Sequence, residues 1–226
     1  LRNYEPKVHG AFAQSCCRGN LVYVALPIIY SAYGEEGFAV AGIMIGFMTP
    51  LVNFCSILVL LLPQQRGDHE LGPSFWFNQI ALNPLIIASF LGIAWSIFAL
   101  PIPLVLAETF DIISGMAMPL ALLVIGASFS LAELRGDMVV TTLASVVKLV
   151  LLPVLAGALL ILFGVRGVEL GVGILLTGAP AASAGYILAQ QLKSDGELTS
   201  SIIMVSTLAS VFSYTLCLYL LKIAGI

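Results

Sequence analysis

Two short interruptions divide long apolar stretches of this chain, and they are the first candidates for chemistry. Their residues are Arg18, Gly19 and Asn20 in the first, and Gly178, Ala179, Pro180 and Ser183 in the second. Glycine and proline break a helix, and the backbone groups that a break frees must find partners in a cavity or a neighbouring helix. Freed amides, a side-chain amide and the positive end of a half-helix favour an anion. The interruptions are therefore candidates for a substrate-binding site.

Two ionisable residues lie well inside other apolar stretches. Lys148 is in the middle of the stretch 138–163, and Asp111 follows Glu108 early in the stretch 103–131. Burying an ionisable group is costly, so such a residue is a functional candidate by default. Lys148 would balance the charge of an anion or take part in proton coupling. The alternative is a structural pair between Lys148 and an acid, for which Asp111 and Glu108 are available.

Each residue of the two interruptions also has a structural interpretation. Asn20 would cap a broken helix, and Pro180, with its two preceding residues, would shape the backbone rather than contact a ligand. Ser183 would bond to its own helix. Arg18 would attract anions or lie at the edge of the bundle. The residues alone leave these alternatives open.

Composition places the elements that carry these residues in a lipid bilayer. The chain has 226 residues, of which 60% are hydrophobic and 9% charged, whereas soluble domains have about 25% charged residues. With 9 Lys and Arg against 12 Asp and Glu, the net charge is −3, and there is no basic stripe for nucleic acid. The four cysteines lack the spacing of a metal site or a disulfide framework, so no metal or cofactor is expected.

The apolar stretches predict an all-α, polytopic membrane protein with seven spans in this chain. A span needs roughly 20 residues to cross a bilayer as a helix, and Pro101 and Pro103 split the longest charge-free run. The predicted spans are 8–32, 37–62, 80–99, 103–131, 138–163, 168–192 and 198–223. The first and the sixth carry the interruptions and are predicted to be broken helices.

Basic residues outside the span centres predict the orientation. One side carries Arg2, Lys7, Arg66, Arg135 and Lys193, and the other carries Arg166 and Lys222. The more basic side is assigned to the cytoplasm. The chain is thus predicted to be a multi-pass protein of the cytoplasmic membrane, with the loop 63–79 inside the cell.

The two broken spans begin similar units. A broken span, a short acidic connector and a long unbroken span occur at 8–62 and again at 168–223. The units start an odd number of spans apart, which gives them opposite orientations, as in the inverted repeats of secondary transporters. Residues 1–62 are then the last two helices of the first repeat, 63–79 a cytoplasmic loop, and 80–226 a complete second repeat of five helices. About three further spans are expected before Leu1.

Four segments, in this order, resemble the auxin efflux carrier family of membrane transporters, and specifically its bacterial permeases. They are RGNLVYVALPIIYSAYG at 18–34, LNPLIIASFLGIAWSI at 82–97, DIISGMAMPLALLVIGASFSL at 111–131 and GAPAASAGYILAQQLKSDGELTSSIIMVSTLAS at 178–210. They resemble the family's fourth, sixth and seventh helices and its ninth and tenth helices. The short loop 63–79 resembles bacterial members, because many plant members have a long loop there.

The resemblance implies ten helices in two inverted repeats, with a fold related to that of the bile acid:sodium symporters. It also implies transport of small organic anions, auxin-like carboxylates in plants and malate or malonate as proposed for bacterial members. It matches Asn20 and Pro180 to the crossover residues of the fourth and ninth helices, and Asn83 to a polar wall residue of the sixth. From the residues alone, Asn83 caps a helix start before a proline. Gly19 departs from the proline that plant exporters often have, so the substrate would differ.

These features predict a carrier that moves small organic anions by alternating access, and not an enzyme. His9 and His69 lie at a span edge and in a loop, so no intramembrane catalytic dyad or zinc motif is available. A channel would need polar-lined repeats or a selectivity loop. Sodium-coupled symport of organic anions is the alternative. The expected partners are the lipid bilayer, the anion and a proton or sodium as coupling ion, and a homodimer is compatible with this prediction.

Overall fold

The computed structural model of the protein describes residues 4–63, 84–127 and 137–226, and these ranges are helical. The helices are α1 (Pro6–Cys17), α2 (Leu26–Leu61), α3 (Pro84–Ile97), α4 (Leu104–Ala127), α5 (Met138–Val146), α6 (Leu152–Leu162), α7 (Gly167–Thr177), α8 (Ala184–Gln191) and α9 (Gly196–Ile223). Among the described residues, three helical runs are long and apolar enough to cross a membrane. They are Leu21–Leu61, Met138–Leu162 and Gly196–Ile223. The predicted all-α membrane class is confirmed.

Two turns of π-helix, at Leu21–Ala25 and Val147–Leu151, lead directly into α2 and α6. Each is followed by a Leu-Pro pair. Proline has no N–H, and its ring collides with the carbonyl group four residues earlier, so the preceding turn widens. In both places the leucine N–H donates to a carbonyl oxygen five residues back, from Leu26 to Leu21 and from Leu152 to Val147.

The run Leu21–Leu61 contains a sharp reversal at Gly34. This glycine has φ 62° and ψ −149°, a conformation that is almost restricted to glycine. The rings of Tyr30 and Phe38 lie 5.7 Å apart, centroid to centroid, whereas residues eight apart in a straight helix are separated by about 12 Å. The run is therefore a helical hairpin, and its turn falls at the predicted acidic connector.

Replacing Gly34 with alanine is expected to destabilise the hairpin by about 1–3 kcal/mol, because alanine must adopt a backbone conformation that only glycine adopts readily. A Cβ on Gly34 would meet no atom within 4 Å, so steric collision adds nothing to this cost. Thermal unfolding of the purified protein in detergent measures the effect. Gly42→Ala is the control, because Gly42 is helical and also faces open space. Equal melting temperatures for the two variants would contradict a strained turn.

Contacts at the helix ends show which ends share one side of the bundle. The Ser194 hydroxyl donates to the carbonyl oxygen of Lys7 at 3.0 Å, and the Tyr4 hydroxyl donates to the carboxylate of Asp137. The Tyr4 hydrogen bond holds the pKa of Asp137 below its ordinary value. Since Asp137 also caps α5 through the backbone N–H of Val139, these contacts join the starts of α1, α5 and α9 at one end.

Candidate functional site

The two breaks lie against each other. α1 ends at Cys17 and α7 ends at Thr177, and Gly19 and Ala181 form an antiparallel backbone bridge. The Asn20 N–H donates to the Pro180 carbonyl oxygen at 2.7 Å, and the Ala182 N–H donates to the Arg18 carbonyl oxygen at 3.0 Å. Backbone groups that each break frees are thus satisfied by the other break. We call the segments 18–20 and 178–182 the crossing.

Small residues allow the two chains to approach this closely. Ala179 is fully buried, and a Cβ built on Gly19 would lie 3.2 Å from the Cβ of Ala179. A Cβ on Gly178 would lie 3.3 Å from the carbonyl oxygen of Ile174 and would also touch the Pro153 ring. A larger side chain at Gly19 or Ala179 would separate the two breaks, and one at Gly178 would press against α7 and Pro153, so all three small residues shape the crossing.

Asn20 caps the helical segment that follows the first break. Its Oδ1 accepts a hydrogen bond from the Tyr23 N–H at 3.2 Å. The side-chain oxygen of Asn20 is therefore used for capping, as the structural alternative predicted. The side-chain NH2 group of Asn20 takes no part in this capping hydrogen bond. Asn20 is 4% exposed, and its amide lies at the positive end of the segment that begins at Leu21.

Lys148 reaches the crossing from the π-turn between α5 and α6. Its side chain is 3% exposed, and its Nζ lies 3.2 Å from where a Cβ on Gly19 would be. The Nζ donates to the carbonyl oxygen of Thr177, the last residue of α7, at 3.4 Å. This distance is at the long end for such a bond, although the negative end of a helix favours a cation.

Arg18 brings a second cation to the crossing. The residue is 8% exposed, and its Nη1 is buried without a hydrogen-bond partner. In the part of the chain that the structure describes, the contacts of Lys148 Nζ and Arg18 Nη1 involve no carboxylate. A buried charge without a counter-charge is costly, and an anion between these groups would remove that cost. The geometry therefore suits the binding of an anion.

Four other candidates from the sequence remain: Asp111, Glu108, Ser183 and Asn83. Asp111 is exposed on α4, so the structure does not bury it beside Lys148. Glu108 is exposed as well. Ser183 is half-buried before α8, and its side chain makes no capping hydrogen bond. Asn83 lies outside the described residues.

Two buried polar residues on α2 were not among the site residues predicted from the sequence. Asn53 is 2% exposed and Ser56 is fully buried. The Asn53 Nδ2 and the Ser56 Oγ have no hydrogen-bond partner in the described part of the chain. The signal for Asn53 is that it is the one amide side chain in the largely apolar run 37–62.

A separate cavity of about 800 Å³ lies between α5, α6, α7 and α9. It is lined mainly by aliphatic and aromatic side chains, including Val150, Ile161, Ile174 and Phe212. None of the crossing residues lines it. Apart from the hydroxyl groups of Thr142, Ser145 and Ser213, an anion would find no polar side chain there to replace its hydration, so the crossing is the better candidate site.

Comparison with known proteins identifies the family. Residues 69–218 match the family described as "Membrane transport protein". An "Uncharacterized transporter" of Methanothermobacter thermautotrophicus is 27% identical over 197 residues, which cover 87% of this chain and 63% of that protein. A "Putative malonate transporter" of Rhizobium meliloti is 31% identical over 146 residues, which cover 64% of this chain and 46% of that protein.

The chain thus spans between about half and two thirds of the length of these two relatives. The family match covers most of the chain, including α5 to α8 and the second half of the crossing. The resemblance found in the four sequence segments is confirmed. The chain belongs to the membrane transport protein family of auxin efflux carrier permeases.

Proposed function

We propose that the protein is a secondary carrier that moves small organic anions, carboxylates such as malonate, across the cytoplasmic membrane by alternating access. The observation that carries this proposal is Lys148, a buried cation whose Nζ lies against the crossing and contacts a backbone carbonyl oxygen. A hydrogen bond between an ammonium group and a carboxylate is charge-assisted and about twice as strong as one between neutral groups. The name of the Rhizobium relative supports the same class of substrate.

Donors of several kinds would hold the anion at the crossing. Lys148 Nζ and Arg18 Nη1 supply charge, and the Asn20 NH2 supplies a neutral donor. The segments that start at Leu21 and Ala184 both begin at the crossing, so their positive ends add to the potential there. These groups lie in a buried setting, where electrostatic interactions are stronger than in water.

An inverted repeat would allow the crossing to open to one side of the membrane and then to the other, which is alternating access. In both proposed units a break is followed by a helical segment, by a turn with positive φ at Gly34 or Lys193, and by a long helix. The antiparallel pairing of the two breaks supports opposite orientations of the units. We assign 1–62 to the first repeat, 63–79 to a loop and 80–226 to the second repeat.

The helix-end contacts support the proposed orientation. Lys7 and Lys193 lie at the end of the bundle where α1, α5 and α9 begin. Basic residues mark the cytoplasmic side of a membrane protein. We also propose that the whole protein has ten helices.

Uptake by proteoliposomes that contain the full-length protein tests the function. We expect saturable uptake of radiolabelled malonate, inhibition by other small carboxylates and no inhibition by the neutral diamide of malonate. Imposed sodium and proton gradients identify the coupling ion, and a strict sodium requirement would favour sodium-coupled symport. Failure to transport any carboxylate in a panel would refute the proposal.

Replacing Asn20 with aspartate is expected to lower malonate uptake at least about tenfold, because a donor to the anion is lost and a negative charge is added. Stability should be retained, since aspartate caps helices as well as asparagine does. Uptake and thermal unfolding are measured together. Asn20→Ser is the uncharged control, which keeps a capping oxygen and lacks the NH2 group. Wild-type uptake by both variants would show that Asn20 only caps the helix.

A further inference from the structure

We infer that Asn53 on α2 belongs to the same anion site, and that its amide selects substrates with a second hydrogen-bond acceptor group. The inference rests on the proposed function and extends it to the class of substrate, a dicarboxylate in preference to a monocarboxylate.

The packing of α1 against α2 places Asn53 near the crossing. A Cβ on Gly10 would lie 3.0 Å from the Val59 carbonyl oxygen, and further along α1 Cys17 lies in the neighbourhood of Cys55. The α2 residues that face α1 therefore have lower numbers toward the C-terminal end of α1. Continuing this register brings Asn53 to within about one helical turn of the level of Arg18 and Gly19.

Asn53 lies on the interior face of α2. The buried residues of this part of the helix recur at intervals of three and four, which marks one face, and they are Asn53, Ser56, Ile57, Leu60 and Leu61. Ile57 and Leu60 pack in one cluster with Ala189 of α8. Leu51 is 62% exposed on a different face. The Asn53 amide is thus directed to the interior that contains the crossing.

Among the described residues the Asn53 Nδ2 has no hydrogen-bond partner, although Asn53 is 2% exposed. A buried donor without an acceptor is destabilising and calls for an explanation, and an acceptor supplied by a ligand is one that fits a transporter. Arg18 Nη1, close to the same level, is a second buried donor without an acceptor. Both groups lack an acceptor, and carboxylate oxygens are strong acceptors for amide and guanidinium groups.

Asn53 carries no charge, so its contribution is selectivity rather than attraction. The two cations at the crossing would bind one carboxylate, and the amide on a different helix would reach a second acceptor group of the same molecule. A site that contains a dedicated donor discriminates against an analogue without the matching acceptor, because the donor then stays buried and unpaired. Malonate has two carboxylates, whereas propionate has one on a chain of the same length.

The test compares malonate and propionate uptake by full-length protein in proteoliposomes. For Asn53→Ala we expect the KM for malonate to rise about tenfold, which corresponds to the loss of one hydrogen bond to a charged group, with the KM for propionate unchanged. Thr49→Val is the control on the same helix, because the Thr49 hydroxyl already donates to the Ile45 carbonyl oxygen at 2.7 Å. This control should change neither KM value.

Thermal unfolding separates binding from a structural role. Since the Nδ2 has no partner in the protein, Asn53→Ala should melt no lower than wild type, whereas loss of a structural amide would lower the melting temperature. Asn53→Asp keeps the shape and adds a negative charge, and it should abolish malonate uptake. Unchanged malonate KM in Asn53→Ala, or a lower melting temperature, would overturn the inference while malonate uptake by wild type upholds the carrier function. A wild-type protein that moves no carboxylate would overturn both.

Discussion

Replacing Lys148 with methionine is expected to weaken malonate binding at least about 100-fold, because removal of one partner from a buried ion pair costs about 3–5 kcal/mol. Lys148 is 3% exposed, and its Nζ lies against Gly19 at the crossing. Methionine has a similar length and fits an apolar interior. The variant loses the charge with little change in packing.

The Lys148→Met variant should also remain folded. The Nζ of Lys148 makes one long hydrogen bond, to the Thr177 carbonyl oxygen at 3.4 Å, so its replacement by an apolar group removes a desolvation cost. Binding of malonate to detergent-purified protein, followed by calorimetry, measures the affinity. Lys222→Met is the control, since Lys222 is exposed in the last turn of α9. Wild-type affinity in Lys148→Met would show that this cation is not a ligand of the anion.

Replacing Gly19 with valine is expected to reduce transport by a factor of about 100, because misplacement of binding groups by about 1 Å can have an effect of that size. A Cβ at this position would lie 3.2 Å from the Ala179 Cβ and 3.2 Å from the Lys148 Nζ. Valine adds two methyl groups beyond that Cβ. The crossing must open, and the ammonium group must move away from it.

Overpacking of this kind also lowers stability, by about 1–3 kcal/mol. The uptake rate and the melting temperature should therefore both fall, with a smaller change in each for Gly19→Ala. Gly46→Val is the matched control, because Gly46 is helical and a Cβ there would meet no atom within 4 Å. Full transport activity of Gly19→Val would contradict the close approach of the two breaks.

The breaks were predictable because their causes are local. Glycine, proline and a capping asparagine act on their own segments, so 18–20 and 178–180 could be recognised within apolar runs, and α1 and α7 do end at these points. The same holds for Gly34, where a glycine beside acidic residues indicated a turn. The sequence also indicated that Lys148 lies mid-span.

Burial of individual side chains was harder to predict, because it depends on which neighbours pack on each face. Lys148 and Asp111 both lie inside apolar stretches, yet Lys148 is buried and Asp111 is exposed. Asn53 was not predicted as a site residue, because a single polar residue in a long apolar run carries little information. The packing of α2 shows that its amide is enclosed. The π-turn that carries Lys148, in contrast, has a local cause, which is the collision of a proline ring with the backbone before it.

The central claim, that an anion binds at the crossing beside Lys148, is tested most directly by a crystal structure of the full-length protein with bromine-substituted malonate. Anomalous scattering locates the bromine without reference to the protein. The account predicts a bromine peak next to the crossing, with a carboxylate of the ligand in hydrogen-bond contact with the Lys148 Nζ. A well-occupied peak elsewhere, with Lys148 still bonded to the Thr177 carbonyl oxygen, would contradict it.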